Sequence, residues 1–216
     1  MVNFFYGIFT DEEQIMVSKL KEELRLDHAV IGDMIRAGSK VLDVGCGDGD
    51  LLEYLVINKE ALASGVEISE EAIYSCVEKG LSVSHGDIDS GLKEYPDETF
   101  DYVIFNQTMQ QVHRPKEAIN EALRIGKRVI IGFPNFCHIK ARFQIFFGGH
   151  VPITPSLPYS WHNTPNVHFL SIKDFRRFCR EHKITIEKSV FLSSDRIIKF
   201  LPNNFALNAI FQISKK

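Results

Sequence analysis

Apolar and polar positions along this chain alternate first with a helical period, then as strand and helix in turn, then with no period, and finally as strands again. Thr10-Asp11-Glu12-Glu13 reads as a capping box, with the Thr10 side chain accepting from the first helical amides. The helix it opens carries Ile15, Met16, Leu20 and Leu24 on one side, and a second short helix from about Asp27 buries Val30, Ile31, Met34 and Ile35. Together they are expected to make a helical extension over residues 1–38. From Lys40 the pattern is a strand at Val41-Leu42-Asp43-Val44, then a helix with Leu51, Leu52, Leu55 and Val56. A strand over Ala63–Ile68 follows, then a helix capped by Ser69 and facing inward through Ala72, Ile73 and Val77. Further strands are expected at Leu81–His85, Phe100–Phe105 and Arg128–Gly132, with an amphipathic helix over Arg114–Ile125 that Gly126 caps. Strands and helices alternating at this spacing predict an α/β fold with a doubly wound, mostly parallel sheet over residues 39–135. The ligand crevice of such a sheet lies at the carboxyl ends of its strands.

The last forty-odd residues follow another rule. Ser171-Ile172-Lys173-Asp174 opens a helix with Phe175, Phe178 and Cys179 inward, and Ile184–Phe191 and Ala206–Ile213 read as strands joined through Pro202-Asn203-Asn204. Strands joined by a turn pair antiparallel, so a C-terminal hairpin should complete a seven-stranded sheet within the same domain, over residues 172–216. Between the two patterns, residues 136–171 carry four prolines, Gly148-Gly149, Tyr159, Trp161 and four histidines, without a period. A segment that long and irregular is a functional lid or a linker, and its aromatics argue against disorder.

Composition narrows the classes. The 216 residues carry a formal net charge of −3 and 44% hydrophobic residues, suited to one globular domain. No basic excess points to nucleic acid or to an anionic membrane. Cys46, Cys76, Cys137 and Cys179 form no CxxC pair, so neither a metal site nor a disulfide framework is expected. The apolar stretch Met1–Phe9 is short, lacks a basic start and runs into three acidic residues, unlike a signal peptide or a membrane span. A cytoplasmic location is the expectation.

The chemistry concentrates in Asp43-Val44-Gly45-Cys46-Gly47-Asp48-Gly49. A dinucleotide fingerprint needs a third glycine where this chain has Asp50, and a pyrophosphate would sit beside the repelling carboxylates of Asp48 and Asp50. S-adenosylmethionine (SAM) instead brings a sulfonium and an ammonium, which acidic surroundings favour. Glu67, 24 residues beyond Asp43 and followed by Ile68, ends the second strand where ribose hydroxyls are met. Asp87 after the third strand is placed to accept from an adenine amino group, Ile88 to pack on the ring, and Asn106 to face the methionyl end. The expected cofactor set is therefore Asp43, Gly45, Cys46, Gly47, Glu67, Ile68, Asp87, Ile88 and Asn106, for SAM or S-adenosylhomocysteine, with Cys46 held by lack of room rather than by reactivity. Gln107 and His113 after the fourth strand, and Tyr159, Trp161, His162 and His168 in the irregular segment, are candidates for contact with an acceptor or a partner. No catalytic residue is assigned, since methyl transfer is accelerated mainly by proximity and desolvation.

Several stretches carry a resemblance. They are Arg25-Leu26-Asp27-His28, the glycine loop, Gly86-Asp87-Ile88-Asp89, Gln107-Thr108-Met109-Gln110-Gln111-Val112, Gly132-Phe133-Pro134-Asn135-Phe136, Leu157-Pro158-Tyr159 and Asn163-Thr164-Pro165-Asn166-Val167-His168. Over roughly residues 24 to 190 the chain resembles the methionine biosynthesis protein MetW family, of the class I SAM-dependent methyltransferase fold. It departs at His162, where that family has an aromatic residue. The resemblance implies a SAM-binding protein of methionine biosynthesis working with a homoserine O-acyltransferase. The alternative is a methyltransferase of a small-molecule acceptor held under the 136–171 segment.

Overall fold

The computed structural model describes residues 25–88 and 92–216. The capping box at Thr10 and the helix through Leu24 lie outside the described residues.

Seven strands make one sheet: β1 (Lys40–Val44), β2 (Leu62–Glu67), β3 (Ser82–His85), β4 (Phe100–Asn106), β5 (Gly126–Pro134), β6 (Ile184–Leu192) and β7 (Asn208–Lys215). Their order is β3-β2-β1-β4-β5-β7-β6, with the first five parallel and β7 antiparallel to both neighbours. The order reverses between β1 and β4, so the crevice of this sheet opens where Val44 and Asn106 end their strands.

β1 and β4 lie in the middle of the sheet and are apolar on both faces, as buried parallel strands must be. Alternate side chains divide between two cores. Val103 and Phe105 point to α4 (Pro115–Ile125) and α6 (Ile172–Glu181), meeting Ile119 and Phe175. Tyr102 and Ile104 point the other way, to α1 (Leu26–Met34) and α2 (Asp50–Lys59), meeting Ile31 and Leu55. Ser171 and Asp174 form a full capping box at the start of α6, and Ser69 accepts from Ala72 at the start of α3 (Glu70–Glu78).

One local expectation fails for a physical reason. α3 buries Cys76, while Val77 is exposed, because the glycine loop leaves room for a small side chain only. Gly126 caps α4 as expected, its amide donating to the Ala122 carbonyl, and its extended φ of −119° already begins β5. β6 and β7 pair antiparallel as expected, and the expected joining residues Pro202-Asn203-Asn204 form a short helix, α7 (Pro202–Phe205).

The segment after β5 opens with α5 (Ile139–Phe143), whose first turn is capped by the His138 ring accepting from the Lys140 amide at 3.1 Å. It widens into one π turn over Gln144–Gly148 and stops at Gly149 in the left-handed region. Farther on, the amides of Val167 and His168 both donate to the Gln110 carbonyl, which ties the segment to the loop after β4.

Candidate functional site

The glycine loop is held by backbone and side-chain bonds together. The amides of Gly45 and Cys46 donate to the Val66 carbonyl at 2.8 and 3.3 Å, so the loop folds over the end of β2. Gly45 has φ +75°, and a side chain there would meet Thr108 Cγ2 at 2.5 Å. Only glycine fits. A Cβ on Gly47 would meet nothing within 4 Å, so the loop presents open space on that side. Glu67 anchors the loop: its carboxylate accepts from the Gly47 amide at 2.9 Å and from the Ile68 and Ser69 amides at 2.8 and 2.9 Å.

Asp43 is buried beneath the loop, with Oδ1 lacking any partner. Burial, and then the nearby Glu67 carboxylate, push its carboxyl up to about 7. Cys46 and Cys76 lie close together, both with Sγ toward the Gly47 carbonyl, and a Cβ on Gly65 would touch the Cys46 sulfur at 2.5 Å. Burial raises both thiols, so Cys46 is a packing residue.

At the end of β4, Asn106 turns its amide nitrogen to Asp27 Oδ2 at 3.0 Å, across 79 residues of sequence. Arg25 grips the same carboxylate through Nε at 3.3 Å and Nη2 at 3.0 Å. Burial works against the Asp27 charge, but hydrogen bonds from Arg25 and Asn106 outweigh it and hold the carboxyl below its usual range. Next to it, His28 is buried, and burial followed by the Arg25 charge lowers it to about 4, leaving a neutral ring. Gln107 follows with φ +58°, rare for a residue with a side chain, and its amide donates to the Gly132 carbonyl at 2.8 Å. A cavity of about 350 Å³ opens here, lined by Arg25, Asp27 and Gln107 together with Ser156, Ser194 and Asn208.

With this arrangement in view, comparison with known proteins is decisive on the family. The family model described as "Methionine biosynthesis protein MetW" matches residues 25–213. The chain belongs to the MetW family. A bifunctional methionine biosynthesis protein, MetXA/MetW, from Rhodopirellula baltica is 36% identical over 190 residues, covering 84% of this chain. The chain spans only 30% of that relative's length. Among solved structures, a SAM-dependent methyltransferase from Thermotoga maritima, described as a possible histamine N-methyltransferase, superposes with a TM-score of 0.64. Identity is 18%, and 95% of this chain and 96% of that one are covered. Magnesium protoporphyrin IX methyltransferase from Synechocystis, with bound S-adenosylhomocysteine, gives a TM-score of 0.63 at 16% identity, covering 97% and 90%. At such identities the likeness shows a shared fold: class I, SAM-dependent methyltransferase.

In this MetW-family chain the expected residues separate into groups. Asp43, Gly45, Cys46, Gly47 and Glu67 lie in or under the loop, and Ile68 stands exposed beside it. Asp87 is exposed after β3, and Ile88 packs half-buried against the core near Gly45. Asn106 and Gln107 belong to the polar cavity region. Tyr159 and Trp161 line a different, apolar groove of about 240 Å³ with Phe136, Leu157 and Phe169. Trp161 is 76% exposed, so packing does not explain it. His162 lies edge-on to Trp161, with ring centroids 5.6 Å apart, and lines neither cavity; nor do His113 and His168.

Arg25 and Asp27 line the polar cavity but lie outside the expected set; their one sequence signal is the Arg25-Leu26-Asp27-His28 stretch. Among the described residues no cluster of His, Cys, Asp or Glu is arranged to hold a metal ion, and no helix is long and apolar enough to cross a membrane.

Proposed function

We propose that this chain binds SAM at the glycine loop and acts in methionine biosynthesis as the accessory of a homoserine O-acyltransferase. The observation that carries the partner is the bifunctional relative, in which MetW is joined to MetXA in one chain. The cofactor reading is supported by the donor set. The loop offers open space at Gly47, is ringed by Asp43, Glu67 and Asp48, and has an unpartnered carboxyl oxygen beneath it. Those groups suit a ligand bearing a sulfonium and an ammonium and oppose a pyrophosphate. Glu67 would hold the loop open for the ligand, and Ile88 would pack against its flat ring.

When bound, SAM supplies an electrophilic methyl group, and the protein's share is positioning and exclusion of water. As a downstream product of the pathway it also suits a signal. Binding shifts acyltransferase activity only as far as SAM prefers one state of the complex over another. The test is an acyltransferase assay with this protein added, with and without SAM. Activity should change with both present; no change and no complex would end the accessory reading.

A second reading, methylation of a small molecule, is favoured by the polar cavity beside Asn106, where Ser156 of the 136–171 segment closes one wall. Consumption of SAM in the presence of pathway metabolites is its test.

A further inference from the structure

A second polar pocket lies away from the crevice. Helix α1 starts at the crevice, where Asp27 meets Asn106, and its far end at Asp33–Arg36 closes a cavity of about 200 Å³ against β4 to β7. On this face of the sheet Ile104, Ile130, Ile210 and Val190 belong to the core. Two residues farther from the crevice on each strand, the same rows turn polar, as Tyr102, Arg128, Gln212 and Lys188. Tyr102 pairs with Arg128 across neighbouring strands, and Lys188 with Gln212. The register of β6 slips between Ile186 and Lys188, which makes Glu187 an extra residue in the ladder. A bulge of this kind re-aims a side chain. Here the Glu187 carboxylate accepts from Arg128 Nε at 2.8 Å and from the Gln212 amide nitrogen.

Gln212 is 3% exposed, and its Oε1 has no partner. The carboxylate it faces can only accept, so Nε2 is held there and the amide cannot be turned round. The pocket thus carries a buried acceptor that needs a donor. Its charges ask for the opposite. Glu187 is spent on Arg128 and Gln212, and Asp33 stands 3.8 Å from Lys59. Arg128 uses Nε on Glu187 and keeps both Nη groups, while Arg36 and Lys188 have no ion-pair partner among the described residues. An anion without a donor would leave Gln212 unmet, and a neutral alcohol would leave the three cations unmet. The volume is below the roughly 300–1,000 Å³ that drug-sized ligands occupy, so the ligand is small. We infer that this cavity is a second ligand site, for a small oxyanion that carries its own hydroxyl, which Gln212 Oε1 receives. Two sources share that chemistry: hydrogen phosphate and a hydroxy-carboxylate.

Probes that differ by one hydroxyl test this on the full chain: phosphate against sulfate, and glycolate against acetate. Binding is read by calorimetry and by the shift of the Gln212 side-chain amide in an NMR spectrum. Wild type should bind phosphate or glycolate saturably, and prefer it to its partner by about tenfold, the value of one hydrogen bond. The pair that shows the preference names the source. Arg36→Gln combined with Lys188→Gln, both at the surface, should weaken binding by about ten- to a hundredfold. Gln212→Met should erase the preference within a pair. Thermal melts control for folding, and the surface double variant keeps the test decisive if Gln212→Met does not fold. Equal affinity within both pairs would mean an adventitious ion only, held by charge, and would overturn the inference. So would no binding of any of the four probes, or binding that the surface double variant leaves unchanged.

Discussion

The glycine loop and the 136–170 segment are built by opposite rules. In the loop, backbone amides are committed to Val66 and Glu67, and a single methyl group at Gly45 has no room. In the segment, side chains are left uncommitted. Of the large hydrophobics exposed among the described residues, half fall between Phe143 and Phe169, with Phe146 81% and Phe147 73% exposed. Phe147 stacks on Phe143 and meets Phe146 edge-on, so the patch is ordered by its own rings and not by a core. A soluble fold keeps such patches small unless they meet a partner. The loop is specified from within; the segment leaves its rings at the surface.

The contrast is broken most directly at Gly45. Gly45→Ala should abolish SAM binding and lower stability by about 2–5 kcal/mol, from left-handed strain plus overpacking against Thr108. Urea unfolding and calorimetry check this, and a variant of wild-type stability would show that the loop is not rigid. Glu67→Ala removes the acceptor of three amides. It should weaken SAM by about ten- to a hundredfold, as expected for losing about one charge-assisted bond at the Gly47 amide, with a smaller loss of stability because the exposed Ile68 and Ser69 amides turn to water.

A pH scan sharpens the picture beneath the loop. Asp43 is raised to about 7, so the folded state keeps a proton that the unfolded chain loses above its ordinary value near 4. Its contribution is full below that ordinary value and is lost as pH rises toward 7. His28, lowered to about 4, runs the other way: its contribution is lost as pH falls from about 6.5 toward 4. The wild-type curve is therefore a partial cancellation. Asp43→Asn should remove the first effect, making stability rise more steeply from pH 4 to 7 than in wild type; parallel curves would mean Asp43 is ionised in the fold. The smallest effect belongs to the segment. Phe146→Ser with Phe147→Ser should change stability by no more than about 0.5 kcal/mol per site and leave SAM affinity intact, while weakening a complex with the acyltransferase. A large loss of stability would place these rings in a core.

The same contrast governs what could be read from the sequence. Strand β1, the loop and the helix start at Ser171 are local, with each signal complete within a few residues, and they stand where the pattern places them. Contacts across long separations were not legible. The Asn106–Asp27 bond spans 79 residues, and no pattern at either end announces it. Cys76 displaced Val77 as the inward residue of α3 because the space belongs to a loop nearly thirty residues away. β7 lies between β5 and β6, and the length of the segment through α7 says nothing of that strand order. For Trp161 and Tyr159 the pattern leaves packing and contact open, and the structure shows both rings exposed in an apolar groove.

The central claim is that the loop at Asp43–Gly49 is a SAM site. Titration of the full chain with S-adenosylhomocysteine and, separately, with NAD in a calorimeter tests it most directly. Saturable binding of the first at one site per chain, with no heat from the second, is the expected result. Saturable NAD binding with no response to S-adenosylhomocysteine would contradict it.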